Sequence, residues 1–445
     1  MAKDDDAVWV GSGSFRIDRE KALETLLRFQ LPDPTQYLLC WVRTACAAGA
    51  PEIRIGVSPE GLEMRFNGEP FAYDELKDPY AALFGSSGGR SAALRHLAYG
   101  LLAALRTVPE SITVASGTGK GRALLEVSSL SLDRVERVEE EAAGTVIRVI
   151  RPKDGTVSKA LGHIRGSTSM CPAEVFIRDE RAAPLRDVEE ALCVSVEEDG
   201  VRALLWVPEE LAARSRVELH VLGVWVDTVE LELPAAQVWG RVNDDRLQLN
   251  ASLTGVVRDD RYRAVVNRLP RAAERLVMGV SSRLGESLPK TARLLRQDEV
   301  ARLVWAERMT RGAGSVGGDI LHALSSLLSR IRKPQRTPEL ASVDQDALAV
   351  RWLRDLCGRT LADAEQDESI PLKKTLWNAP LYLSMAGTPL TLKELEKLHS
   401  KDEKLRYWVH PSGSSSVPIE DKNVLYTVSA RELNLLQQRY HCEAL

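Results

Sequence analysis

The chain has 445 residues, with 59 Lys and Arg against 63 Asp and Glu, a formal net charge of −4. Without a basic surplus it has no electrostatic footprint for a phosphate backbone, so nucleic acid is not an expected partner. Hydrophobic residues make up 44% and charged residues 27%, the balance of a globular protein large enough for several cores. No apolar run approaches the ~20 residues that span a bilayer, so no membrane association is expected. The acidic opening "MAKDDDAVWVG" has no signal-like apolar stretch. Six scattered cysteines with no CxxC pair argue against a zinc site and against a disulfide framework. A reducing, cytoplasmic setting is the expectation.

In chain order, Ile17 to Leu31 reads as a helix stopped by "LPDP". A second helix opens at Tyr37, with Leu38, Trp41, Val42 and Ala45 at core spacing, and Gly49 stops it. Its other face carries Cys40, Thr44 and Ala47, none of them charged. Ile53, Ile55 and Val57 alternate as a strand, and "GLEMRF" follows a Pro59-Glu60-Gly61 turn as its hairpin partner. Ala92 to Arg106 is a predicted helix, "SITVASGTGKGRALLEVSS" a hairpin with its tip at Gly117 to Gly121, and "GTVIRVIRP" a strand from Gly144. "RVERVEEEAAG" reads as a solvated stretch before that strand. The pattern predicts a mixed sheet with helices on one face, a two-layer sandwich.

"GSTSMCP", Gly166 to Pro172, marks a boundary. Strands are predicted beyond it at Glu174–Ile177, Val201–Val207, Arg216–Leu222, Val224–Val229 and Leu247–Leu249. Helices are predicted from Asp259 towards Met278 and from Ala292 to Met309, followed by a break at Arg311–Gly318. The amphipathic stretch Asp319 to Arg332 is expected to pack internally or dock in a groove. The last part has a helix at Ala347–Leu361, strands around Tyr382 and Tyr407, and helices at Thr391–His399 and Ala430–Tyr440.

Short motifs in the first part resemble the GHKL ATPase superfamily of gyrase B, MutL, histidine kinases and the ninety-kilodalton heat-shock chaperone. "AGA" at Ala48–Ala50 follows the first helix, "FNGEPF" stands where an Asp-x-Gly-x-Gly turn is usual, "GSSGGRSAALRHLAYG" resembles the Gly-rich lid and helix, and Gly144-Thr145 opens the late strand. A longer stretch narrows the resemblance to the chaperone's middle domain. "RVELHVLGVWVDTVELELPAAQVWGRVNDDRLQLNASLTGVVRDD" keeps a Gly240, Val242, Asp245, Leu247, Leu249, Asn250, Ser252 pattern. The tail "SMAGTPLTLKELEKLHSKDEKLRYWV" looks like that chaperone's later middle segment. No counterpart of its C-terminal dimerisation domain is expected before Leu445.

The resemblance implies an α/β (α+β) architecture in three parts: a GHKL-like N-terminal domain over 1–166, a chaperone-middle-type α/β domain over 167–335, and a small C-terminal α/β module over 336–445. It also implies a site whose working groups are replaced. Cys40 stands in for the glutamate that activates water, general-base work worth ~10²–10⁴ in rate. Thr44 stands in for the asparagine that holds Mg²⁺, and Phe66 for the aspartate that accepts from adenine. Leu253 takes the place of the arginine that stabilises phosphate charge. Asn67, Gly68, Gly100, Gly144 and Thr145 complete a vestigial nucleotide pocket, with Arg90 and Arg95 as nearby cations. No catalytic residue, no metal and no resident cofactor are expected, with ATP and Mg²⁺ the candidates if anything binds.

"SGTGKG" at Ser116–Gly121 is better read as a hairpin tip than a phosphate loop, because strand flanks it on both sides. The seven histidines show no metal spacing. Trp206, Trp225 and Trp239 are candidates for core or for a client-binding patch. The expected function is that of a chaperone-like protein with a degenerate ATPase fold. It would bind a protein partner or client as an adaptor, a scaffold or an ATP-independent chaperone. The alternative is a divergent ATP-hydrolysing chaperone.

Overall fold

The structure, a computed structural model, describes residues 19–85, 89–119, 121–130, 133–139, 143–182, 192–211, 214–312, 338–360, 370–410, 421–427 and 430–445. The chain is mixed α/β, with sheets of eight, five and five strands. It divides into two compact units. The first holds residues 1–186 together with His220–Asp227 and Asp244–Asp259; the second holds 187–219, 228–243 and 260–445. Residues 220–227 and 244–259, read from the sequence as part of the middle segment, thus group with the first unit.

In the first unit the helices are α1 (Arg19–Phe29), α2 (Tyr37–Ala47), α3 (Tyr73–Lys77), α4 (Gly89–Leu105) and α5 (Thr156–Ser167). The strands are β1 (Glu52–Ser58), β2 (Gly61–Phe66), β3 (Ser111–Gly117), β4 (Arg122–Val127), β5 (Asp133–Val138), β6 (Gly144–Ile150), β7 (Glu174–Ile177) and β8 (Glu180–Arg181). They pair in the order β5-β4-β3-β6-β2-β1-β7-β8, antiparallel except for the parallel β1–β7 pair. Strand alternation assigns the faces: Ile53, Ile55, Leu62, Met64, Ile112, Val114, Ile147 and Val149 are buried, whereas Arg54, Arg65 and Arg148 are exposed. The buried side chains join Leu38 and Trp41 of α2 and Leu97 and Leu101 of α4 in one apolar cluster. At the entry to α2, Asp33 accepts from the Thr35 amide at 3.0 Å. At its end Gly49, at φ +71°, lets the Ala50 amide bond to the Ala45 carbonyl.

Three readings of this region change. Thr156–Ser167 is a helix that the sequence reading passed over, and it kinks at the expected boundary, where Gly166 takes φ +86°. Glu174–Ile177 extends the first sheet as β7 rather than opening a new one, because it finds the free edge of β1. "RVERV" is a strand rather than a solvated stretch: its alternating charges suit an edge paired on one side only.

In the second unit the five-stranded sheets run β12-β11-β13-β10-β9 and β15-β14-β17-β16-β18. Their strands are β9 (Cys193–Glu198), β10 (Val201–Trp206), β11 (Ser215–Val221), β12 (Val224–Leu231), β13 (Trp239–Asn243), β14 (Pro380–Ser384), β15 (Pro389–Thr391), β16 (Leu405–Val409), β17 (Val424–Thr427) and β18 (Cys442–Ala444). The tip of the β11–β12 hairpin belongs to the first unit. The helices are α6 (Asp260–Val266), α7 (Leu269–Gly312), α8 (Pro338–Thr360), α9 (Pro371–Trp377), α10 (Leu392–Asp402) and α11 (Asn434–Arg439). Thr391 and Glu394 cap α10 reciprocally, a signal written in "TLKE".

The two helices predicted between Asp259 and Met309 are instead a short α6 and a continuous 44-residue α7 that runs through Pro289. Polar residues in the gap between the two predicted helices face a fully buried carboxylate. Arg283 Nη1, Ser287 Oγ and Thr291 Oγ1 all donate to Asp346 of α8, the first two at 3.2 and 2.8 Å. Spacings of four and four put the three donors on one helix face. Leu247–Leu249 is no strand: only an isolated Leu249–Val256 bridge forms there. The amphipathic stretch 319–332 and most of the 311–318 break lie outside the described residues.

Candidate functional site

The expected site lies where α2, α4, the ends of β2 and β6, and the Asp244–Asp259 loop converge. In α2, "YLLCWVRTACA" is apolar nearly all round, and every residue from Tyr37 to Ala45 is buried. Cys40 and Thr44 are completely inaccessible. Thr44 Oγ1 donates to the Cys40 carbonyl one turn back at 3.1 Å, so its hydroxyl proton is spent within the helix. Burial pushes the Cys40 thiol up to about 11, against a smaller opposing pull from Arg43. A neutral buried thiol is no base for water, and a completely inaccessible hydroxyl is out of reach of a hydrated cation.

The turn after β2 places the next group. Phe66 is buried and faces Ile53 on one side and Thr145 on the other. Asn67 is exposed. Thr145 Oγ1 lies 2.8 Å from Ser116 Oγ, which accepts from the Phe71 amide at 2.7 Å, so this pair of hydroxyls is occupied inside the fold.

The glycines of the expected pocket have steric reasons of their own. A Cβ on Gly68 would lie 2.6 Å from the Ala48 carbonyl oxygen, and one on Gly144, at φ +88°, 2.4 Å from that of Phe66. A Cβ on Gly100 would lie 2.2 Å from Trp41 Nε1, so this glycine lets α4 close on the α2 indole.

Leu253 completes the set. In the Asp244–Asp259 loop, Asn250 Oδ1 accepts from the Thr254 amide at 3.0 Å and from Ser252 Oγ at 3.1 Å. The Asn250 carbonyl accepts from the Leu253 amide at 2.9 Å. This turn holds Leu253 at φ +58°, an uncommon conformation for a residue with a side chain. The side chain is buried and joins Val224 in the same apolar cluster as Tyr37, Trp41 and Phe66. The Leu31 amide donates to the Ser252 carbonyl at 3.2 Å and ties the loop to the end of α1.

The cations expected for phosphate are engaged elsewhere. Arg90 Nη2 donates to Glu75 Oε2 and to the Pro70 carbonyl, both at 2.6 Å, and its guanidinium lies 5.1 Å from the Phe71 ring centre. That pairing lowers the Glu75 carboxyl below its usual range. Arg95 donates to Ser91 Oγ at 3.3 Å. Arg43 went unnoticed in the sequence, and His96 was read only as one of seven histidines without metal spacing. Arg43 is buried, and its Nη2 donates to the Trp225 carbonyl at 2.9 Å. The signal was a lone arginine inside an otherwise apolar helix. Burial, with Arg43 and Arg95 nearby, pulls His96 down to about 3. Tyr37 Oη, Trp41 Nε1 and His96 Nδ1 are buried without a hydrogen-bond partner.

A cavity of about 310 Å³ opens at the end of the sheet, lined by Arg54, Arg65, Arg122 and Arg148 with Glu52, and bordered by Phe66, Asn67 and Thr145. Its charges are largely matched: Arg54 Nε donates to Glu52 at 2.6 Å, and Glu63 accepts from Arg65 and, at 2.7 Å, from Arg148. Among the described residues no cluster of His, Cys, Asp and Glu is arranged to hold a metal. No helix there is long and apolar enough to cross a membrane.

The structure therefore brings Cys40, Thr44, Phe66, Gly100 and Leu253 into one buried cluster region, leaves Asn67 exposed, and uses Thr145 in an internal hydroxyl pair. The arrangement offers packing rather than acid–base or metal chemistry. No protein-family model matches the chain, and no curated protein matches it.

Proposed function

We propose that this is a cytoplasmic adaptor or scaffold that binds a protein partner or client, as an ATP-independent chaperone does, and does not turn over nucleotide. One observation carries the reading: Phe66 and Leu253, which stand at the adenine and phosphate positions of the resemblance, lie in one closed apolar cluster with Tyr37 and Trp41. A triphosphate there would displace core side chains and meet no carboxylate base. Filling such a cleft with carbon stabilises the fold, since each fully buried large side chain contributes about 1.5–3 kcal/mol.

Isothermal titration with ATP and Mg²⁺ tests this, and no heat of binding is expected. A phosphate-release assay on the same protein is expected to stay at background. Metal-dependent binding that is lost on Thr44→Ala would sink the reading and support a divergent ATPase instead.

A further inference from the structure

Cys46 Sγ and Cys171 Sγ lie 3.0 Å apart, although the residues are 125 positions apart in the chain. Cys46 sits in the last turn of α2, and Cys171 in the turn after α5. Both are half-buried. Cys40 and Cys357 are buried, with thiols pushed up to about 11 and about 12 by burial, and Cys442 Sγ donates to the Tyr440 carbonyl at 3.5 Å. Cys193, the sixth, lies on β9.

Both backbones are held where the sulfurs meet. The Cys171 amide donates to the Thr168 carbonyl at 3.0 Å. On its far side Gly223 presses so close that a Cβ there would lie 2.4 Å from Cys171 Cα. Cys46 is fixed by the helix, whose end is capped at Gly49 and Ala50. From 3.0 Å the sulfurs need close only about 1 Å to reach the ~2.05 Å of a covalent bond.

We propose that Cys46 and Cys171 form a reversible disulfide, made by exchange with a low-molecular-weight disulfide such as oxidised glutathione. Cys171 attacks first, from a turn whose next residue, Pro172, is exposed. Its thiolate displaces one thiolate from the small disulfide and becomes the mixed disulfide. Cys46 then attacks the Cys171 sulfur and expels the second small thiolate. The protein loses two electrons, the small disulfide gains them, and the two cysteine protons end on the two released thiols. The Cys46 thiol is held protonated by its hydrogen bond to Cys171, by burial and by the nearby Asp245 charge. Conversion of Cys171 to the mixed disulfide removes that hydrogen bond, and Cys46 then gives up its proton for the second step. The bond would join the end of α2 to the entry of β7 and close a long loop, which constrains the unfolded chain.

The test uses the full chain in glutathione buffers from reducing to oxidising. After denaturing quench, oxidation is expected to remove two of the six thiols. Unreduced peptide mapping is expected to find the 46–171 link, and Tm is expected to rise and fall back on adding dithiothreitol. Cys46→Ser and Cys171→Ser are each expected to lose that Tm response, and Cys46→Ser is expected to stop at a glutathione adduct on Cys171. Retention of all six thiols, a different pair, an interchain link, or a wild-type adduct without ring closure would each overturn the proposal. The wild-type thiol count and map decide it even if a variant fails to fold.

Discussion

The two faces of the eight-stranded sheet are built from alternate residues of the same strands, yet they solve opposite problems. On the inner face Met64, Ile147 and Val114 meet Trp41 and Leu101, and the groups expected to handle a nucleotide are packed as carbon or bonded to their own backbone. On the outer face Glu63 accepts from Arg65 and Arg148, and Arg54 pairs with Glu52, around an open cavity of about 310 Å³. The space where the resemblance leads one to expect a nucleotide is filled, and its glycines serve packing.

Substitutions that cross this divide should differ sharply in cost. Trp41→Ala removes the indole on which α4 closes, and a loss of about 3–5 kcal/mol is expected in urea unfolding of the first unit. Leu253→Ala should cost about 2–5 kcal/mol by the same measure, although the residue lies in a loop. A loss below about 1 kcal/mol would mean that the loop does not contribute to the core. Gly100→Ala should cost about 1–3 kcal/mol through overpacking against Trp41.

The pH dependence separates the faces as well. His96 titrates near 6.5 when unfolded and near 3 in the fold, so the unfolded chain binds the extra proton between those values. The stability it contributes is complete above pH 6.5 and is lost as pH falls towards 3, about 2 kcal/mol by pH 5. His96→Gln should flatten the stability profile between pH 6.5 and 5. On the outer face, the Glu63 carboxyl lies below its ordinary value, held there by Arg65 and Arg148 against a desolvation penalty. Its contribution is present above pH 4.5 and is lost as pH falls below that. Because the three side chains are 27–60% exposed, Glu63→Gln should cost no more than about 1 kcal/mol at neutral pH.

Local elements were readable in the sequence where periodicity and punctuation agreed. Tyr37–Ala47 ended by Gly49, the β3–β4 hairpin, and the Thr391 cap of α10 all carry their signals within a few residues. Long-range choices were not. Glu174–Ile177 could pair with any free edge, and only the assembled sheet supplies β1. The continuity of α7 was not predicted, and the group its polar face meets, Asp346, lies 55 residues beyond Thr291.

The sequence singled out Cys40, Thr44, Phe66 and Leu253 only through a resemblance, as changes of residue type at expected motif positions. Which of those positions are filled with carbon, and that Gly68, Gly100 and Gly144 are required by close backbone or ring contacts, depends on distances that no spacing rule carries. Arg43 and His96 were not singled out because neither stands at a position the resemblance uses, and their burial depends on how α2 and α4 pack.

Leu253 and Val224 belong to the core of a unit whose sheet is finished by Arg181. A ribosome delivers residues in order, so the first half of this protein must wait, with its sheet written but its core unsealed, while more than forty further positions emerge. A nascent chain stalled at 186 should therefore bind a hydrophobic dye or a holdase, and one extended past 259 should release it.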